Sequence, residues 1–212
     1  MSLRSDRIGV AFIIAASMVS SIGSLSLFSS ATYEYAQGST AEIPFLYKEC
    51  QTPADDPGSP VRFRFADRTA FEAASPGKVN LRCKDETLTL VVTRASRLSV
   101  KLWRDEWETS KRVPAGSLVE LFPEAFSASG SELLIGGSSR VQWEFSGVLR
   151  AERRQCSGEG IFRYCPPDSH GVARAIAAGR GQALARFAGL EARLVLEVKP
   201  RQGGRPATAP AR

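Results

Sequence analysis

The sequence predicts an α+β fold: a β-rich, single exported domain with one or two helices and two disulfides. Three observations predict it. An uncharged apolar segment, Ile8 to Phe28, stands near the start of the 212-residue chain. Four cysteines, Cys50, Cys83, Cys156 and Cys165, follow it with no Cys-x-x-Cys pair among them. Around them run short alternating apolar segments of β type, and one stretch, 139–154, has apolar residues at helical spacing.

The leader comes first. Arg4 and Arg7 form a basic flank, the apolar segment follows, and Ser29-Ser30-Ala31 supplies the small residues of a signal-peptidase site. The reading is a signal peptide over 1–31. The alternative is an uncleaved anchor over 8–28, because 21 residues can cross a hydrocarbon core of about 30 Å. Five serines and Gly23 dilute its distal half, which favours cleavage. Either way the rest of the chain lies outside the cytoplasm.

Residues 32–198 then read as one disulfide-stapled domain. Ala41 to Cys50 is a short apolar strand candidate, and Gln51 to Pro60 a proline-rich loop. Val61, Phe63 and Phe65 alternate with Arg62 and Arg64. Val79, Leu81 and Cys83 alternate in the same way, so Cys83 points inward. Thr87 to Thr93 is rich in β-branched residues, Leu98 to Trp103 is a further β-type run, and the tryptophans at 103 and 107 read as core or edge packing. Ser117 to Phe122 is an apolar run that Pro123 ends, and Glu132 to Ile135 a short strand.

Over 139–154 the spacing of Val141, Phe145, Val148 and Leu149 predicts a helix capped by Ser138 or Ser139. Gly171 to Phe187 has helical composition weakened by Gly179 and Gly181. Leu190 to Val198 alternates as a last strand, and 199–212 reads as a disordered basic tail.

Composition excludes more than it selects. The formal net charge is +6, carried partly by the leader and the tail, and no basic stripe with interleaved aromatics suggests nucleic acid. A single histidine, His170, leaves little room for imidazole catalysis. Its neighbour Cys165 makes a Cys–His nucleophile pair conceivable, against the plainer reading of a loop histidine beside a structural disulfide. Cysteine spacings of 33, 73 and 9 do not form zinc knuckles. Asp55-Asp56 lacks the register of a calcium loop. The expectation is a protein that is not an enzyme, with no cofactor, no metal site and no catalytic residues. The four cysteines allow three disulfide connectivities, nearest-neighbour pairing being the simplest.

The cysteine layout resembles that of glycoprotein L of alphaherpesviruses: two cysteines about thirty residues apart, a long gap, a close pair, then a basic tail. The resemblance spans roughly 32–170 and is carried further by Thr52-Pro53-Ala54-Asp55-Asp56 after Cys50, by Leu102-Trp103 with nearby Asp105, and by 139–154 before Cys156. The family's aromatic-Asn-Pro motif is missing after the second cysteine, and no Asn-x-Ser/Thr acceptor occurs.

The resemblance implies pairing of Cys50 with Cys83 and of Cys156 with Cys165. It implies a secreted envelope subunit that forms a heterodimer with a membrane-anchored glycoprotein, glycoprotein H, helps it fold and travel, and acts with it in membrane fusion during virus entry. Such a subunit would occupy the virion envelope and the host secretory pathway and cell surface, held peripherally through its partner. Tyr33, Tyr35, Phe45 and Tyr47 are the expected partner-facing residues, with core packing as the alternative for each. A second functional expectation is a membrane-anchored β-domain on the periplasmic side of a membrane, or in an organelle, serving as a structural subunit of an envelope assembly.

Overall fold

The computed structural model describes residues 30–43, 50–51, 57–64, 70–84, 86–103, 111–156 and 164–201. Among them there is no helix, and the fold is β-sandwich-like. The α+β expectation is therefore corrected to all-β. The apolar leader, Phe45, Tyr47, the Thr52–Asp56 run, Asp105, Trp107 and the tail beyond Arg201 lie outside the described residues.

Apolar side chains are buried in two clusters, one for each half of the chain. The N-terminal half holds β1 (Ser30–Ala36), β2 (Thr40–Glu42), β3 (Cys50–Gln51), β4 (Val61–Arg64), β5 (Ala70–Ala73), β6 (Gly77–Cys83) and β7 (Glu86–Thr93). They form a sheet in the order β1-β7-β6-β3 and a second in the order β2-β5-β4. β1 runs parallel to β7, and the other pairs are antiparallel. Val61, Phe71, Leu81, Leu88 and Leu90 fill the core of this half. Alternation works here as expected: Leu81 and Cys83 are buried and Arg82 is exposed, because successive side chains of a strand leave opposite faces.

The C-terminal half holds β8 (Arg97–Leu102), β9 (Arg112–Pro114), β10 (Leu118–Phe126), β11 (Glu132–Leu133), β12 (Gln142–Gly147), β13 (Leu149–Ala151), β14 (Gly171–Ala175), β15 (Gly179–Phe187) and β16 (Leu190–Lys199). One sheet is ordered β11-β10-β14-β13, with β8 on the opposite side of β10, and the other β12-β15-β16-β9. The buried side chains of β16 (Ala192, Leu194, Leu196 and Val198) belong to the core of this half. Lys199 pairs with Pro114 at the end of β16, so the last strand extends one residue into the expected tail.

The expected helix over 139–154 is instead β12 and β13. The spacing of four between Val141 and Phe145 belongs equally to a strand, since four is twice two. Trp143 decides the matter: it lies between them on the strand face and packs against the core. Gly147, at φ 67°, turns the chain back so that Leu149 is buried in the next strand.

The helical composition of 171–187 likewise resolves into β14 and β15. Its alanines serve close approach rather than helix propensity. Ala173, Ala175, Ala183 and Ala185 are all fully buried where small side chains let the layers meet. Nor does Pro123 end its run, because β10 continues through it. Glu120 and Phe126 turn their carbonyls toward β8 and the segment before it, so residue 123 faces the opposite side. There β14 has stopped at Leu121 and β11 starts at Ala125, and no ladder bond is lost.

The halves meet along a seam from Glu34 to Ala41. Leu134 N donates to Glu34 O at 2.8 Å and Ala36 N to Leu134 O at 3.0 Å, while Ala36 is buried in the C-terminal core. Thr40 N donates to Ser139 Oγ at 2.9 Å, and Ser39 and Ser139 are fully buried. Gly136 lies against the Thr40 carbonyl too closely for any side chain.

Candidate functional site

Both disulfides are formed, Cys50 to Cys83 and Cys156 to Cys165, and no cysteine is free. Cys50 and Cys83 face each other across β3 and β6, with Cys83 buried. Cys156 and Cys165 are exposed. The bond at Cys165 removes the thiol that a Cys–His pair would need, and His170 turns to a carboxylate instead. Disulfide pairing is the state of an oxidising compartment and fits an extracytoplasmic domain.

Of the expected partner-facing aromatics, Tyr35 is 5% exposed and packs edge-on to Phe71 at 5.1 Å. It belongs to the core, and burial pushes its phenol up to about 12. Tyr33 is half-buried against the same cluster. Successive residues of β1 leave opposite faces, and Tyr33 and Tyr35 lie on the side that meets the core.

The outer face of β8, β10 and β14 gathers rings that the sequence keeps far apart. Trp103 follows β8 directly, and its N–H donates to Glu120 O at 2.8 Å, which continues the ladder past the strand's end. The indole is 53% exposed. Phe122, two residues after Glu120, shares its face of β10 and meets Trp103 edge-on at 5.7 Å. His170 precedes β14, which pairs with β10, and its ring lies 5.8 Å from Trp103 and 6.0 Å from Phe122. Tyr164, next to Cys165, lies 6.3 Å from Trp103 with the ring planes 9° apart.

Glu120 fixes two of these rings. Tyr164 donates its hydroxyl to Glu120 Oε1 at 2.7 Å, and His170 Nδ1 lies 2.6 Å from the same oxygen. A carboxylate only accepts, so His170 carries its proton on Nδ1. Burial, then the hydrogen bond and charge of Glu120, push the Tyr164 phenol well above its ordinary range.

Among the described residues, three ion pairs lie around the rings. Lys101, which faces Phe122 across the ladder, binds the buried carboxylate of Glu124. Arg174 binds Glu152 at 2.8 Å, and Arg154 binds Asp168 at 3.0 Å. Arg154 also donates to the carbonyls of Asp168 and His170, which ties the segment before Cys156 to the one after Cys165. Ser169 O accepts from Trp143 Nε1 at 3.1 Å, and Trp143 covers Gly171 from the core side.

The arrangement offers an apolar, partly exposed platform with a polar rim. Among the described residues no group of three His, Cys, Asp or Glu is placed to hold a metal ion. No buried polar side-chain atom there lacks a hydrogen-bond partner. A shallow groove of about 380 Å³ lies elsewhere, between Glu42, Gly137, Ser138 and Pro166 to Asp168, where the halves meet.

Trp103 and His170 were legible individually, as a packing tryptophan and a loop histidine. Their convergence with Glu120, Phe122 and Tyr164 was not, because strand pairing brings together positions up to 67 residues apart.

No protein-family model matches the chain, and no curated protein matches it. Among solved structures it is similar to a β-glycosidase from Bacteroides vulgatus, at 20% identity and TM-score 0.31, over 60% of this chain and 18% of that one. It is similar to domains 5–6 of the S-layer protein SbsC, at 11% identity and TM-score 0.33, over 79% and 92% of the two chains. It is also similar to the Escherichia coli adhesin FdeC, at 15% identity and TM-score 0.30, over 78% and 62%. The chain thus spans about a fifth of the glycosidase's length. At these scores the likenesses assign neither a family nor an activity.

Proposed function

We propose that this chain is a non-catalytic extracytoplasmic subunit that docks a protein partner through the Trp103 platform. One observation carries the reading. Among the described residues, a half-exposed tryptophan stands at the centre of a ring cluster bordered by polar groups that are hydrogen-bonded or ion-paired within the chain. An apolar, aromatic centre inside a polar rim is the anatomy of a protein interface, and Trp and Tyr are the side chains that most often dominate binding energy there. The exposed indole favours a partner that contributes apolar surface.

The finer reading makes that partner a membrane-anchored glycoprotein H-like protein, which the chain helps to fold, reach the envelope and fuse membranes. It rests on cysteine layout; nearest-neighbour pairing agrees with it and equally with the simplest arrangement of four cysteines. The alternative partner is a structural component of an envelope assembly.

The test is parallel capture from the native membrane with the wild-type chain, Trp103→Ala, and Val195→Ala as an exposed control on the opposite sheet. The expected result is a protein held stoichiometrically by wild type and Val195→Ala, and lost with Trp103→Ala. A membrane-anchored fusion subunit in that band supports the finer reading, and a repeating envelope component the alternative. Capture that ignores Trp103 overturns the platform as the docking surface.

A further inference from the structure

We infer that the docking face has a second, charged half: Arg150 and Arg174, side by side on β13 and β14, receive a carboxylate from the partner while Trp103 receives an apolar side chain. The inference rests on reading the Trp103 platform as the docking surface. It names the partner's contribution as an acidic, apolar protein segment.

Strand register places the two arginines. Trp103, Glu120 and Val172 form one row across the outer face, from the end of β8 through β10 to β14. Two residues back along β10 comes the next row, Leu118, Arg174 and Arg150, running on to β13. Residues two apart on a strand share a face and lie about 7 Å from each other, so the arginines belong to the same surface as the rings. Leu118 and Ile176, two residues beyond Arg174, are both half-exposed. The apolar surface therefore continues from Trp103 past Leu118 and reaches the arginines.

Arg150 stands directly opposite Arg174 in the ladder, and like charges so placed destabilise a sheet. Arg174 is partly compensated: it binds Glu152 at 2.8 Å and donates to Gly116 O at 3.3 Å. Arg150 is exposed, and among the described residues it donates only to carbonyls, those of Gly147 and Leu149, both at 3.1 Å. A guanidinium has five N–H groups, so each arginine retains donors for a further acceptor, and carboxylates match that fork bidentately. The face is not uniformly basic. Glu152 is partly exposed beside Arg174, and Asp168 is exposed beside the rings. An anionic lipid surface would meet both acids, whereas a protein segment can set one carboxylate on the arginines and apolar side chains on Trp103 and Leu118. That mixture favours a protein.

The experiment uses the full-length, disulfide-intact chain and a fluorescent peptide, Leu-Ser-Leu-Ser-Glu-Ser-Glu, which when extended presents its leucines and glutamates on one face. A glutamine counterpart of the peptide and phosphatidylserine vesicles are the comparisons. Fluorescence polarisation should show the glutamate peptide bound about fivefold more tightly than the glutamine one, the scale of one partly exposed ion pair. Arg150→Ala should abolish that preference, and Trp103→Ala should weaken both peptides. Arg150→Glu should raise the urea midpoint, because a carboxylate then faces Arg174. A preference that survives Arg150→Ala, or equal or absent binding of the two peptides, overturns the inference. So does a lowered midpoint in Arg150→Glu, which would make Arg150 a structural clamp on the Gly147 turn. Vesicle binding that depends on Arg150, without any peptide preference, would assign the arginines to a membrane surface and overturn it too. Failure of the docking reading appears separately, as capture from the native membrane and peptide binding that both ignore Trp103→Ala.

Discussion

Gly171 lies directly beneath the indole of Trp143: a Cβ at position 171 would come within 2.4 Å of Trp143 Cδ2. The contact joins the first residue of β14 to the inner face of β12, directly behind His170 and the ring platform. It also explains why glycine opens β14, where entropy alone would disfavour it.

Gly171→Ala should therefore destabilise the fold by about 1–3 kcal/mol, the usual range for overpacking a close-packed site. Trp143→Phe in the same chain should recover part of the loss. Urea unfolding of the single and double variants measures both, and additive destabilisation would refute the contact as the cause.

At the seam between the halves, Gly136→Ala would bring a Cβ to 2.2 Å from the Thr40 carbonyl oxygen. Backbone cannot yield as a side-chain tip does, so the seam should open. We expect a loss of about 1–3 kcal/mol and of the coincidence between unfolding probes placed in the two halves. A single unchanged transition would count against the seam as the coupling element.

Tyr35 predicts an alkaline limit to stability. Its folded pKa, raised from 10.0 to about 12 by burial and then by Tyr33, means that the folded chain keeps a proton that the unfolded chain releases. The contribution is complete below pH 10 and is lost as pH rises through about 12. At about 1.4 kcal/mol per unit it amounts to roughly 2–3 kcal/mol. Tyr35→Phe should flatten the fall in denaturant midpoint between pH 9.5 and 12. Parallel curves for variant and wild type would refute the assignment.

Glu120→Gln tests the anchor of the platform. Removing the charge takes away a cause of the raised Tyr164 pKa, so this phenol should ionise at lower pH than in wild type, though burial still holds it above the ordinary value. Loss of a charged hydrogen bond shared by two donors should cost about 1.5–3 kcal/mol. Ultraviolet pH titration against Tyr164→Phe isolates the group, and an unshifted Tyr164 would sink the proposed anchor.

Much of the β framework was readable from alternation. Val61 with Phe63, Leu81 with Cys83, and the run from Ala192 to Val198 show their inner faces through spacing alone, because each strand has one buried side. Where a strand is short and ends in a left-handed glycine, as at Gly147, the period breaks after six residues, and the remaining apolar positions imitate a helix. Alanine-rich β14 and β15 misled for another reason. Their alanines are chosen for the space between layers, which no local window contains.

The sequence by itself determined the cysteine set, the alternating strands and the exclusion of zinc knuckles and a calcium loop, since these depend on residue type and near spacing. It left three disulfide pairings open, and it left Trp103 an ordinary packing residue. Only the tertiary structure decided that Cys156 bonds Cys165, that Tyr35 faces the core, and that Trp103, Phe122, Tyr164 and His170 meet over Glu120. The reason is that β-sheet contacts are non-local: the register between strands sets which side chains become neighbours, and that register is written across the whole chain rather than in any segment.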